Sequence, residues 1–372
     1  MENAGSPTEG LVSVVGPRRV HPLEPGDPQH IGPYTVLCRL PRGGQGADVF
    51  VGRAADHGQL VVLKCLPGSA GELARRRFSR EVENAARIRS PRVARIIDQD
   101  LDASSPYYVQ EYVPGLPLDE FLAHRAAQRE GGLNEEELRR IAIGLLRALR
   151  DAHAAKVVHR DVKPANIVIT EGGVHLVDFG ISRYIGAERP SGTVTTSLVG
   201  VGSKLFASPE QLQGLPLTEA SDVYSWGMVI AYAAGGRHPV DPDDELSAAD
   251  YFTELRSGRL HLDAVPRHLQ DSVSAALRFN RDRRPTVAEL IREVEQKTRW
   301  LAQTSEIPSP TTTLRDLLSP AAVLDAARYQ LSRLERAVAD TSTGYAVAVA
   351  VAVLLGLVVA FVLAITWHVF FG

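Results

Sequence analysis

Apolar residues gather into a few stretches along this chain, and the polar stretches between them are equally informative. Residues 1–30 mix Pro, Gly, Ser and charge with no apolar period and lack the apolar core of a signal peptide, which predicts a flexible lead segment without an export signal. Residues 34–40 form a short apolar run of strand character, and Leu60-Val61-Val62-Leu63-Lys64 is apolar up to its last residue. Residues 72–88 have helical composition. Between 134 and 153, Leu138, Ile141, Leu145 and Leu149 recur at helical spacing and predict a core helix, with Gly144 as a packing point inside it. Val174-His175-Leu176-Val177 reads as a short strand ending at Asp178. From Asp178 to Glu210 the chain is polar and rich in Gly, Ser and Thr, too poor in apolar surface for a core, and is expected to move until something tethers it.

After Trp300 the pattern changes. Residues 307–313 carry the Pro, Ser and Thr of a linker, and Ser319-Pro320 opens a helix with Leu324, Ala327, Leu331, Leu334 and Val338 at alternating spacings of three and four. Two heptads do not make a coiled coil, and a helix lying on a membrane surface fits the pattern at least as well. No charged residue follows Asp340, and residues 345–367 form a near-continuous apolar run, longer than the roughly 20 residues that span a bilayer. Arg328, Arg333 and Arg336 stand upstream of it and no Lys or Arg stands downstream, which predicts a single-pass helix over 344–368 in a cell membrane. The globular part would face the cytoplasm and the C-terminus the outside, with few residues beyond the span. Gly344, Ala348, Ala352, Gly356, Ala360 and Ala364 make a stripe of small residues on which two such helices could pair, although the abundance of Ala explains the stripe equally well.

Composition narrows the chemistry. A net charge of -3 over 372 residues gives no electrostatic case for nucleic acid. Basic character lies mostly in Arg; the lysines are Lys64, Lys156, Lys163, Lys204 and Lys297, and high Arg and Ala point to a GC-rich bacterial genome. Cys38 and Cys65 stand alone, so neither a disulfide framework nor a Cys-based zinc site is supported, and the histidines have no ligand spacing.

The chemistry-bearing stretch is residues 157–166, Val-Val-His-Arg-Asp-Val-Lys-Pro-Ala-Asn, followed by Asp178-Phe179-Gly180. It supplies two carboxylates, a lysine and an amide, groups that suit phosphoryl transfer to a hydroxyl, which needs an oriented nucleophile, neutralised phosphate charge and hard oxygen ligands for a metal ion. Lys64, ending an apolar strand, needs an anionic partner, which phosphate oxygens and a helix carboxylate would supply. Glu81 is the carboxylate of choice, with Glu83 on a different helix face. Arg75, Arg76, Arg77 and Arg80 could dock a phosphorylated partner or form a solvated face. Pro41-Arg42-Gly43-Gly44-Gln45-Gly46-Ala47-Asp48-Val49-Phe50 is a glycine-rich hairpin through which backbone amides could approach phosphates, a weak signal alone.

Jointly these motifs resemble those of the eukaryotic-like (Hanks-type) serine/threonine protein kinases of bacteria, in a membrane-anchored, actinobacterial form. The resemblance implies an α+β fold of two lobes over about residues 31–300, a small β-rich N-lobe and a larger helical C-lobe. A juxtamembrane linker (301–343) and the transmembrane helix would follow. It implies transfer of the ATP γ-phosphoryl group to protein Ser or Thr with magnesium, or manganese in its place. Asp161 would be the base, Lys163 a charge stabiliser, Asn166 and Asp178 the metal ligands, and Lys64 with Glu81 the phosphate-positioning pair. Gly43, Gly44 and Gly46 would cover the phosphates, with Val49 and Val62 against the adenine. Residues 107–115 resemble the strand and hinge between the lobes, Glu111 offering its carbonyl and Val113 its amide to adenine, with Gln110 as gatekeeper.

Arg160 could recruit phosphate placed on Thr195 or Thr196, or next on Thr193, and so order the segment around them. Ser203 would bridge the base and Lys163, Asp222 would brace the catalytic loop, and Glu210 would pair with Arg284. The pattern departs from the family at Pro41, where the first glycine is usual, in one extra residue between Gly46 and Val49, and in Val62 and Ser208, where alanine is usual. With Gln110, Val62 predicts a narrower, wetter pocket. Partners implied are Ser/Thr-bearing proteins, the membrane, and a second copy through the kinase domain or the span. A membrane-tethered pseudokinase scaffold is the alternative, although Lys64, Asp161 and Asp178 are all present; a small-molecule phosphotransferase is a weaker one.

Overall fold

The computed structural model describes residues 18–41, 47–128, 132–179, 205–240 and 248–304. Of two compact units, Met1–Phe121 with Gly132–Ile307 contains every feature discussed below; the other, Leu122–Gly131 with Pro308–Gly372, is described only over part of one helix.

Six strands form the first layer: β1 (His30–Ile31), β2 (Tyr34–Arg39), β3 (Asp48–Ala54), β4 (Leu60–Cys65), β5 (Ile96–Asp100) and β6 (Tyr107–Glu111), antiparallel in the order β1-β2-β3-β4-β6-β5. The unbroken apolar run of β4 reflects its place between β3 and β6, where both faces are covered, so Val61, Val62 and Leu63 are all buried. One face carries a cluster of Val36, Phe50, Val61, Leu63, Tyr107 and Val109. Cross-strand partners share a face, so Val62 stands with Gln110 and Lys64 with Tyr108 on the other. Helix α1 (Glu72–Ala85) buries Phe78, Val82 and Ala85, spaced for one face, and Phe78 meets Tyr108 with ring centroids 5.8 Å apart. It stops three residues short of the expected 88. Of the arginine cluster, Arg75 is spent on the carbonyls of Gly68, Ala70, Ala103 and Ser104, and Arg76 pairs with Glu72 at 2.8 Å.

A second antiparallel sheet joins β7 (Leu116–Pro117), β8 (Ile167–Thr170) and β9 (Gly173–Leu176). Helix α2 (Leu118–Ala127) follows β7, and α3 (Glu135–Ala154) follows with a reciprocal cap, Asn134 and Glu137 each accepting the other's N–H at 2.9 and 3.0 Å. The stripe Leu138, Ile141, Leu145 and Leu149 is buried as the periodicity predicts. A side chain at Gly144 would meet Val174 at 3.0 Å, so glycine lets β9 lie directly on this helix. After α4 (Pro209–Leu212), α5 (Glu219–Gly235) is buried almost all round, with Trp226 donating to the Ala142 carbonyl at 3.1 Å. Helices α6 (Ala248–Ser257), α7 (Arg267–Ala276) and α8 (Val287–Thr304) complete the described chain, α3 packing against β9, α5 and α8.

Gly43, Gly44, Gly46, Thr193, Thr195, Thr196, Ser203 and residues 305–372, with the apolar run and the helix before it, lie outside the described residues. Among the described residues no helix is long and apolar enough to cross a membrane.

Candidate active site

Residues 157–166 leave α3 through Lys156 in the left-handed conformation (φ 62°) and are then held from α5. Asp222, 1% exposed, accepts the backbone N–H of His159 and of Arg160, each at 2.8 Å, and lies 2.8 Å from Nε2 of His153. Arg160 keeps a positive φ of 67°, a cost for a residue with a Cβ, because Asp222 holds its N–H while Gln211 donates to its carbonyl at 2.8 Å. Burial lowers the pKa of His159, so the ring is neutral. Its Nδ1 accepts from the Asp161 N–H at 3.2 Å, which places the proton on Nε2, 3.0 Å from the Val177 carbonyl. The same ring tilts against Phe179 at 4.5 Å, linking the loop to the turn that carries Asp178.

Asp161 is held by its neighbours. Asn166 donates through Nδ2 to the Asp161 carbonyl at 2.8 Å and to its Oδ2 at 3.0 Å, and Lys163 Nζ stands 2.9 Å from Oδ2. Both Asn166 bonds use nitrogen, so the amide oxygen keeps its capacity as an acceptor. With the Asp178 carboxylate it makes a pair of hard oxygen donors, a set that fits magnesium, which is commonly held by one or two protein oxygens beside phosphates and water. No group of three or more His, Cys, Asp or Glu poised as ligands occurs among the described residues.

Lys64, 4% exposed at the end of β4, forms an ion pair with Asp178. Burial works to raise the Asp178 carboxyl, and the Lys64 ammonium, helped by Lys163, overrides it and holds the group below its usual range. The expected pairing of Lys64 with Glu81 does not occur here. Glu81 instead accepts from the Arg160 guanidinium at 3.2 Å, and its Oε2 is buried without a hydrogen-bond partner among the described residues. Burial pushes its carboxyl up to about 7 against the pull of Arg160 and Arg77. Sequence position puts Glu81 on the correct helix face; the approach of α1 to β4, which decides its partner, is a tertiary matter.

At the hinge, Val62 is buried opposite Gln110, and Val49 stands opposite Lys64. Gln110 donates from Nε2 to the Ala94 carbonyl at 3.1 Å, so this donor of the gatekeeper is used inside the fold, which weakens the expectation of a wetter pocket. The Glu111 N–H is bonded to the Arg95 carbonyl at 2.8 Å, and Val113 is buried. Arg284 grips Glu210 through two bonds of 2.7 and 2.9 Å and stacks over Tyr224 at 4.8 Å. Burial works to raise Glu210, and Arg284 outweighs it and lowers the pKa. Sequence reasoning missed His153, Gln211 and Arg18. His153 follows Leu149 by four residues on the buried stripe of α3, a polar group on an apolar face that was a readable signal; Gln211 and Arg18 carried none.

A family profile described as the protein kinase domain matches residues 34–294. The chain belongs to the protein kinase domain family. Among curated proteins it is similar to PkwA of Thermomonospora curvata, named a probable serine/threonine-protein kinase, at 38% identity over 74% of this chain and 35% of that protein. It is also similar to the serine/threonine-protein kinase AfsK of Streptomyces coelicolor, at 34% identity over 73% of this chain and 32% of that protein. The chain thus spans about a third of the length of these relatives, 35% and 32%. Among solved structures, the kinase domain of Mycobacterium tuberculosis PknI is similar in fold, with a TM-score of 0.53 and 24% identity over 74% of this chain and 99% of that one.

Proposed function

We propose that this chain is a serine/threonine protein kinase that transfers the γ-phosphoryl group of ATP to protein hydroxyls, anchored in a membrane by residues 344–368 with its kinase domain in the cytoplasm. One observation carries the reading: Lys163 and Asn166 both hold the Asp161 carboxylate within 3.0 Å, with Lys64 paired to Asp178. The names of the curated relatives and Lys163, two residues after Asp161, support Ser or Thr as the acceptor.

In this mechanism Asp161 accepts the hydrogen bond of the substrate hydroxyl, orients its oxygen for in-line attack and receives its proton as the new P–O bond forms and the bond from the γ-phosphorus to the bridging oxygen breaks, ADP leaving with that oxygen. Lys163 offsets charge on the moving phosphoryl group. Asn166 and Asp178 would hold magnesium, which supplies charge neutralisation on the phosphates when bound. The Glu111 carbonyl and the Val113 amide receive the adenine edge. Lys64 turns to the phosphates and takes Glu81 as its carboxylate, a change that requires Arg160 to release Glu81. Phosphate on Thr195, Thr196 or Thr193, added by the enzyme itself, would offer Arg160 that alternative partner. Pairing of two chains through the membrane helix would bring these threonines to a neighbouring active site.

The test is the full chain in detergent with magnesium, ATP and a generic protein substrate, beside Asp161→Asn, with phosphate mapped by mass spectrometry. Phosphoserine or phosphothreonine formed by the wild type alone is the expected result. ATP binding without transfer would favour the pseudokinase scaffold, a reading that the Glu81–Arg160 pair supports. Recovery of the chain in membrane pellets, and its loss on deletion of 344–368, checks the anchor.

A further inference from the structure

Residues 18–29 have no apolar period, yet they are fastened on both sides of the hinge. Toward the sheet, His21 pairs with Arg39 of β2 through two backbone bonds of 2.9 and 2.8 Å. Arg39 is 7% exposed, grips Asp27 through both carboxylate oxygens, reaches Asp48 at 3.0 Å and stacks over Phe50 at 5.0 Å. Glu24 donates its N–H to Asp27 at 2.7 Å, closing the turn between these anchors. On the far side of the hinge, the Arg19 N–H donates to Glu120 at 3.0 Å in the first turn of α2.

Just ahead of these anchors in the chain stands Arg18, a cation 8% exposed. Its guanidinium lies over the Tyr112 ring, 5.3 Å from the centroid, and donates to the Val113 carbonyl at 3.4 Å. The peptide joining Val113 to Pro114 has no N–H, so its carbonyl is the one polar group by which it can be oriented, and Arg18 takes it. Burying a guanidinium is costly even with the Glu120 carboxylate near enough to attract it, which is understandable where the charge positions something. The connector is also close-packed beneath: a side chain at Gly115 would meet the Ile169 carbonyl at 2.2 Å.

We infer that residues 18–29 are a strap that joins β2 to α2 across the hinge and fixes the angle between sheet and helices, with Arg18 positioning Val113 for the adenine edge. The nucleotide half of this inference rests on the kinase reading above. Its test compares the full chain in detergent with Arg18→Ala, Arg18→Lys and Glu120→Ala. Amide hydrogen exchange at residues 111–115 should become about tenfold faster in Arg18→Ala, with α5 unchanged. The KM for ATP should rise about fivefold while kcat stays within about twofold, Glu120→Ala shifting both readings in the same direction and Arg18→Lys recovering only part. Unchanged hinge exchange in both alanine variants would overturn the strap, as would faster exchange spread evenly over the domain. If the wild type bound no nucleotide, the kinase reading would fail, and hinge exchange would still decide the strap.

Discussion

Glu81→Gln separates stability from activity in a way that the wild-type geometry makes quantitative. The Glu81 carboxyl rises from 4.5 to about 7 on folding because burial outweighs the attraction of Arg160 and Arg77. A folded-state pKa above the unfolded value means that the folded chain keeps its proton longer. This contribution to stability is complete below about 4.5 and is lost as pH rises through about 7. At about 1.36 kcal/mol per unit the whole shift corresponds to ~3 kcal/mol, and residual solvent contact lowers the expectation to about 2 kcal/mol. Glutamine has the same shape and no charge at any pH. The variant should therefore match the wild type near pH 5 and exceed it by about 2 kcal/mol at pH 8, read from urea midpoints of the fragment 1–304. Phosphate transfer should fall about 100-fold, because Lys64 loses the carboxylate that places it in the transfer-competent arrangement. A stability gap that stays constant with pH, or widens toward acid, would refute the reasoning.

Other outcomes follow from single contacts. Arg284→Met leaves the Glu210 carboxylate buried without its cation, with the Ser221 hydroxyl still donating to it, and should cost about 3–5 kcal/mol, seen as a fall in Tm that Glu210→Gln in the same chain partly reverses. Asp222→Ala frees the N–H groups of His159 and Arg160, so kcat should drop at least about 100-fold with ATP affinity nearly unchanged; equal losses in both would count against a role confined to the loop. Gln110→Leu strands the Ala94 carbonyl and should lower stability by about 1–2 kcal/mol in denaturant titrations.

What the sequence disclosed depended on the range of the interaction. The stripe of α3 and the burial of β4 were legible because period and composition are local. The catalytic loop was legible because Asp161, Lys163 and Asn166 lie within six residues and meet through one tight turn. Glu210 with Arg284 came only through the family resemblance, since nothing near either residue announces a partner 74 positions away. That Glu81 holds Arg160 in this structure was not legible, because its choice between Lys64 and Arg160 depends on the stance of a whole helix. Arg18 was invisible for a related reason: its segment is ordered by polar contacts with the hinge, 95 residues on, and polar contacts leave no period.

The carboxylate of Asp222 carries the catalytic loop from a helix buried almost all round, so Asp161 keeps its place whichever partner Glu81 has chosen. On the kinase reading proposed above, switching such a molecule off would be an exchange of ion pairs around a loop that Asp222 holds. With the buried α5 common to both arrangements, the lifetime of an idle copy in a cell should equal that of a working one. A cell would then hold a reserve of silent enzyme, released on the timescale of side-chain and helix motions and not of new synthesis.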